Sequence, residues 1–423
     1  MLYSFTQTAL QYAVLGLFAT AAASPLAPRQ QSTNINLATN GQGVTAYYRI
    51  PALEVLGNNV VLASWDARPD NGDSPSPNSI IQRRSTDGGL TWGPVTYIAK
   101  GRPGATGVQK YGFSDPSYVV DRKTGKVFNF HVFSKNTGFG ASVIGNDDTN
   151  LNVISAQVSV STDGGLTWNT DPTRQPNLPP VASANGNTSP LITKVVKPVG
   201  STVNGVANVG GVVGMFATSG AGIQLRYGAK AGRLVQQFAG SVIQPSGNTA
   251  IQAWSVYSDD GGATWQRGNF VGTGMDENKV VELSNGTLMM NSRDSGRSGY
   301  RKVSLSTDQG VNWSAPRIEN QLIDPTNNAH ITRAYPDAAQ GSKEAKILLF
   351  TNSASQTSRS LGTVRFSCDD GNTWNAGKRF QSGYMAYSVI QPLGGDWFGI
   401  FYEGPNGVMA FARFDKAYIG INC

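Results

Sequence analysis

Short runs in which apolar and polar residues alternate recur along this chain, and Gly, Asn, Asp and Pro punctuate them. Ile80-Ile81-Gln82-Arg83-Arg84 is one such run. A period of two over a few residues predicts β-strands, and the punctuation predicts turns between them. Met275 to Leu283 and Leu288 to Arg293 read as two strands around an Asn285-Gly286 turn, a strong hairpin signal. The Gly/Val-rich segment from Asn204 to Met215 reads as a strand pair. Asp66 to Pro77 and Lys197-Pro198-Val199-Gly200 read as loops of one domain.

An octapeptide organises these strands. It runs Ser85-Thr86-Asp87-Gly88-Gly89-Leu90-Thr91-Trp92 and returns at Ser161–Trp168, Ser258–Trp265, Ser306–Trp313 and Ser367–Trp374. The shared pattern is S-x-D-x-G-x-x-W. The Asp carboxylate can accept backbone N–H groups across a turn, and the Gly supplies a positive φ. The Trp is expected to fold back over the base of its hairpin. Each copy should therefore join two antiparallel strands, and its Asp is structural. The uneven spacing suggests blades with loops of different length.

Composition narrows the class. Charged residues make up 14% and Gly numbers 50 in 423 residues, which suits an all-β protein rich in tight turns. Two His (His131, His330) and two Cys (Cys368, Cys423) leave little for a zinc site. No nucleophile elbow with a partner His and no phosphate-binding loop is present. The net charge of +7 comes without a Lys/Arg run, so nucleic acid is not an expected partner; anionic glycans are.

The apolar run Ala13 to Ala19, followed by Ala21-Ala22-Ala23-Ser24, reads as a secretion signal, although no Lys or Arg precedes it. It is too short for a membrane span. Residues 1–23 are expected to be a signal peptide, 24–32 a propeptide or tail, and 33–423 one domain. Secretion would permit a Cys368–Cys423 bond. Asn187, Asn285 and Asn312 head glycosylation sequons, with Asn312 inside a repeat turn.

The octapeptide is the Asp-box, and with it the chain resembles the sialidase (neuraminidase) family, closest to compact bacterial-type exo-sialidases. The resemblance covers Ala46 to the end. It implies a six-bladed β-propeller of four-stranded sheets with one blade lacking a box. Tyr48-Arg49-Ile50-Pro51 matches the family's R-I-P motif, making Arg49 the first of three arginines that bind the substrate carboxylate. Ser64-Trp65-Asp66-Ala67-Arg68 leads to the acid/base on a loop, Asp73, with Asp70 as the rival; Arg68 would contact the substrate's carboxylate or 4-hydroxyl. Phe113-Ser114-Asp115-Pro116 places Asp115 on the 4-hydroxyl, or is simply an Asp-Pro turn. Glu277 and Arg293, on opposite arms of the Asn285-Gly286 hairpin, would be the base and the second arginine; Glu282 is the rival base. Arg359 would be the third arginine, with Arg365 and Arg379 nearby. In Tyr384-Met385-Ala386-Tyr387-Ser388 the nucleophile is Tyr387, with Tyr384 as runner-up, and Glu403 would brace Arg49.

These residue types fit the chemistry. A sialoside carries a carboxylate on its anomeric carbon, which arginine forks can bind and which would repel a carboxylate nucleophile. A neutral Tyr escapes that repulsion, and tyrosine is an established nucleophile in sialidases. The resemblance thus implies a secreted, monomeric exo-α-sialidase, needing no metal or cofactor and acting on sialylated glycoproteins, glycolipids or oligosaccharides. A preference for deaminated sialic acid (KDN), transfer to an acceptor sugar, and a propeller that only binds are the alternatives.

Overall fold

The computed structural model describes residues 32–169 and 191–423. The signal peptide, most of the expected tail and the Asn187 sequon lie outside the described residues. Ser32 opens the first strand.

Six four-stranded sheets form a β-propeller. From the axis outward, blade one runs Tyr47–Gly57, Val60–Arg68, Ser79–Ser85, Thr96–Ala99. Blade two is built on Gly112–Asp121, Lys126–Ser134 and Ser155–Ser161, and the short strand Gly220–Ala221 pairs parallel with the first of these. Blade three is Val212–Ala217, Leu234–Ile243, Thr249–Ser258 and Gln266–Arg267. Blade four is Met275–Glu282, Leu288–Asp294, Tyr300–Ser306 and Arg317–Ile323; blade five is His330–Arg333, Leu348–Ser353, Ser360–Ser367 and Lys378–Tyr384. Blade six takes Ser388–Gly394, Trp397–Glu403 and Val408–Asp415 from the end of the chain and its outer strand, Ser32–Thr39, from the beginning. Pairing of Ser32 with Phe414 through Thr39 with Val408 closes the ring and covers an edge that would otherwise be open.

The octapeptides join the third strand to the fourth in blades one, three, four and five, and in blade two the octapeptide follows the third strand, Ser155–Ser161. Blade six has none because its third and fourth strands are opposite ends of the chain, so there is no connection to make. In the first copy, Asp87 Oδ1 accepts the N–H groups of Leu90 and Thr91 at 3.0 and 2.9 Å, and Ser85 Oγ accepts that of Gly89 at 2.9 Å. The hydrogen bond from the Thr91 hydroxyl is the main reason the Asp87 carboxyl falls to about 2. Asn312 replaces that threonine in the fourth copy, donating to Asp308 at 2.7 Å.

Two of the tryptophans correct one expectation. Trp92 and Trp265 wedge between blades, while Trp168 and Trp374 meet Tyr118 and Phe350 of their own blades. Trp92 of blade one meets Phe411 of blade six edge-on at 5.0 Å, and Trp265 of blade three meets Phe130 of blade two at 4.9 Å. The glycine is demanded by the same junction: a Cβ on Gly262, at φ 81°, would lie 2.2 Å from the Phe128 ring of the preceding blade. The strand pair expected from Asn204 also shifts, since Asn204 and Gly205 form the turn between Ser201–Val203 and Val206–Val209, ahead of Val212–Ala217. Cys368 in the fifth octapeptide and the terminal Cys423 are bonded, Cα–Cα 5.6 Å, tying the chain end to blade five.

Gly262→Ala should lower the urea-unfolding stability by roughly 3 kcal/mol, from left-handed backbone and overpacking together. Gly107→Ala, with a similar φ of 74° and, among the described residues, no neighbour within 4 Å, should lose only about 1 kcal/mol. Equal losses would show that the blade junction is not what fixes the glycine.

Candidate active site

The residues that matter gather at one mouth of the propeller, where inner strands begin and second strands end. Local breaks in the ladders aim them. Register slips between Arg49 and Ala52, Ser114 and Ser117, Met275 and Asn278, and Ser360 and Gly362. A bulge bends its strand and turns a side chain off the alternating pattern. Ile50 (φ 65°), Asp115 (φ 65°) and Leu361 (φ 61°) take left-handed backbone at three of these breaks. For a β-branched residue such as Ile50 that conformation is strained, and strain of this kind persists where the surroundings over-determine it. Here Glu403 does so: its Oε1 accepts both Ile50 N at 2.7 Å and Arg49 Nε at 2.9 Å.

Tyr387, in the link entering blade six, stands at the centre, buried at 6% exposure. The guanidinium carbons of Arg49 and Arg359 lie 5.4 and 5.3 Å from its ring centroid, and Arg293 Nη1 is 3.4 Å from its hydroxyl. Arg293 Nη1 also donates to Glu277 Oε2 at 2.8 Å, across the hairpin that closes at Asn285-Gly286. Glu277 and the Tyr387 hydroxyl thus meet through Arg293. Burial holds the Tyr387 phenol well above its ordinary pKa; Glu277 adds to the rise, and the three arginines oppose it. It is a phenol at neutral pH and needs a base to become a nucleophile.

Arg49 is paired with Glu403, and Arg293 with Glu277 and, at 3.5 Å, with Asp276. Among the described residues no carboxylate is within ion-pair distance of Arg359. Three guanidinia therefore surround one phenol, one of them without a carboxylate partner among the described residues, the arrangement that a bound carboxylate completes.

A second group adjoins. Arg68, 2% exposed, is held by Asp66 Oδ2 on Nε (3.1 Å) and Nη2 (2.9 Å), and its Nη1 reaches Asp73 on the following loop. Asp66 Oδ1 accepts the N–H of Asp115 at 3.1 Å, linking blades one and two. Burial lifts the Asp66 carboxyl to about 6 against the pull of Arg68, and lifts Asp115 well above the ordinary range, with Asp66 and Asp73 adding to it. The Asp73 side chain is 79% exposed.

All nine residues singled out from sequence lie on this mouth. The rivals lie otherwise. Asp70 caps its loop by accepting from Gly72 N and Ser76 Oγ, both at 2.8 Å. Glu282, at the far end of its strand, accepts the N–H groups of Arg226 and Tyr227 at 2.7 and 3.0 Å. Tyr384 is 47% exposed at the end of a blade-five outer strand, and Arg365 is buried in a neighbouring strand. Sequence reasoning gave no role to Asp66 or Asp276. Both flank assigned residues in the quoted motifs, but only the cross-strand geometry shows what they hold.

Asp66→Asn should cost roughly 3–5 kcal/mol in urea unfolding, because it leaves the buried Arg68 guanidinium without its main counter-ion. Asp73→Asn, on the exposed side of the same arginine, should change stability by less than about 1 kcal/mol. A similar loss from both would contradict the division of labour.

Residues 227–397 match a BNR repeat-like domain. A sialidase of Micromonospora viridifaciens is 49% identical over 391 residues, which are 92% of this chain and 55% of that protein. A sialidase of Bacteroides fragilis (strain YCH46) is 26% identical, over 88% of this chain and 62% of that protein. Among solved structures, Hadza microbial sialidase Hz136 superposes with a TM-score of 0.70 at 25% identity, covering 89% of this chain and 67% of that one. The chain thus spans about half the length of the Micromonospora relative. With sequence shared along nearly all of this chain, and six blades arranged as in the solved structures, the chain belongs to the sialidase family.

Proposed function

We propose that this chain is a secreted exo-α-sialidase that releases terminal sialic acid from glycoproteins, glycolipids or oligosaccharides, with retention, through a covalent intermediate on Tyr387. The observation that carries the reading is the incompletely neutralised triad Arg49, Arg293 and Arg359 around a buried phenol. The triad takes the C1 carboxylate of the substrate. Its fixed positive charge also sits where a carboxylate nucleophile would be pinned by ion pairs, so the neutral Tyr387 is the suitable attacker.

In the first step Tyr387 Oη bonds to the anomeric carbon and its proton passes to Glu277. The bond from that carbon to the aglycone oxygen breaks, and Asp73 gives that oxygen its proton. In the second step Asp73, now a carboxylate, takes a proton from water while the water oxygen attacks the anomeric carbon. The bond to Tyr387 breaks, and the phenolate recovers its proton from Glu277. Substrate and water are converted to sialic acid and an alcohol. The contact of Asp73 with Arg68 is a resting position; a sugar hydroxyl arriving on Arg68 frees the carboxyl. Asp115, whose carboxyl burial pushes well above the ordinary range, meets the 4-hydroxyl. The Cys368–Cys423 bond supports an oxidising, extracellular destination.

Tyr387→Phe and Asp73→Ala should each lower kcat by about 10²–10⁴-fold on a natural sialoside. On an aryl sialoside, whose leaving group needs little protonation, Asp73→Ala should lose much less. Proton NMR should show the α-anomer of sialic acid first. The β-anomer first, or a Tyr387→Phe variant with wild-type kcat, would overturn the mechanism.

A further inference from the structure

Tyr387 reaches the site from blade six, whereas Glu277 and Arg293 come from blade four. Blade five lies between, so their register must be set across a whole blade. A buried polar bridge spans that gap. Arg301, on the third strand of blade four, donates from Nε to Asn291 Oδ1 at 2.9 Å, and Asn291 shares its strand with Arg293. Arg301 Nη1 donates to the carbonyl of Asn327 at 2.5 Å and lies 3.3 Å from Asp324 Oδ2. Asp324 Oδ1 accepts Asn327 N at 2.7 Å. The Asn327 side chain then donates from Nδ2 to the carbonyl of Ala386 at 2.8 Å and to Ser353 Oγ at 3.0 Å; Ser353 Oγ donates to the carbonyl of Met385 at 2.5 Å. The bridge ends on the two peptide carbonyls just before Tyr387.

We infer that Asn327 is a positioning residue for Tyr387: its side-chain amide ties the backbone ahead of the phenol to the blade that carries Glu277 and Arg293. Arg301, Asp324, Asn327 and Ser353 are all at most 1% exposed, so none can reach a ligand in the site. Stability is a poor reason to keep them, since a buried ion pair is commonly no better than well-packed apolar residues of the same volume. Among the described residues Asn327 Oδ1 has no hydrogen-bond partner, so the amide is held for its two N–H bonds. What the bridge does fix is the distance between Tyr387 Oη and Arg293, and a drift of about 1 Å at reacting atoms is enough to slow a step about 10²-fold.

The inference rests on Tyr387 being the nucleophile, and the test separates the two ideas. Wild type, Asn327→Ala and Asn327→Ser are treated with a 3-fluorosialosyl fluoride (the 2,3-difluoro sialic acid), and the rate of covalent labelling is followed by intact mass, with the labelled residue mapped. Affinity for the unreactive 2,3-didehydro sialic acid is measured alongside. Asn129→Ala, a fully buried amide elsewhere in the ring that bonds to Ser64, controls for lost stability. Asn327→Ala should label Tyr387 about 10²-fold more slowly while its inhibitor Kd stays within about threefold. Asn327→Ser, which keeps one donor, should recover part of the rate, and Asn129→Ala should label like wild type. Wild-type labelling by Asn327→Ala, or inhibitor affinity falling as much as the rate, overturns the positioning role. Failure of the wild type to label at Tyr387 overturns the nucleophile reading, and this inference with it.

Discussion

Three guanidinium groups around one phenol repel each other, and the architecture of this mouth follows from holding them there. Arg49 and Arg293 are steadied by Glu403 and by Glu277 with Asp276, each at the end of a strand. Arg359 is left without a carboxylate partner among the described residues. A fully neutralised cluster would have no pull on an anion. A wholly unneutralised one would be hard to fold, since like charges a few ångström apart in a low-dielectric setting cost several kcal/mol. The observed compromise leaves room for one carboxylate from outside.

A propeller suits this task because every inner strand starts at the same mouth. Residues far apart in sequence, from Arg49 to Glu403, converge without any long loop having to close over them. The strands by themselves would point side chains alternately across the sheet, and the bulges beside Arg49, Asp115 and Glu277 supply the departure that the site needs. Blade junctions made by Trp92 and Trp265 against neighbouring phenylalanines keep the strand starts in fixed relation, and the buried Arg301–Asp324–Asn327 bridge does so locally for the phenol.

Much of the fold was legible because its signals are local. The octapeptide encodes a turn whose Asp, Ser and Gly satisfy each other within a few residues, and the Asn285-Gly286 pair encodes its hairpin the same way. The direction of Trp92 and Trp265 was not legible, since their partners, Phe411 among them, sit on another blade. The bulges also escaped, because an inserted residue leaves the apolar alternation on either side intact. Asp66 and Asp276 were in view as members of motifs, but their work is done across strands. The box missing from blade six becomes understandable only when the first strand is seen to complete the last blade. The nine residues singled out from sequence lie at one mouth, while their chemical roles rest on reaction measurements.

The carboxylate-binding triad is the centre of this account, and one comparison addresses it directly: kcat/KM for an aryl α-glycoside of N-acetylneuraminic acid and for its methyl ester, with the purified folded protein. The two substrates share size, leaving group and anomeric configuration, and differ in the charge that the arginines are held to meet. The account predicts ready release from the free acid and about 10³-fold or more slower release from the ester, as loss of a charge-assisted bidentate contact at a fixed cationic cluster implies. Equal rates on both, or no release from the free acid, would contradict it.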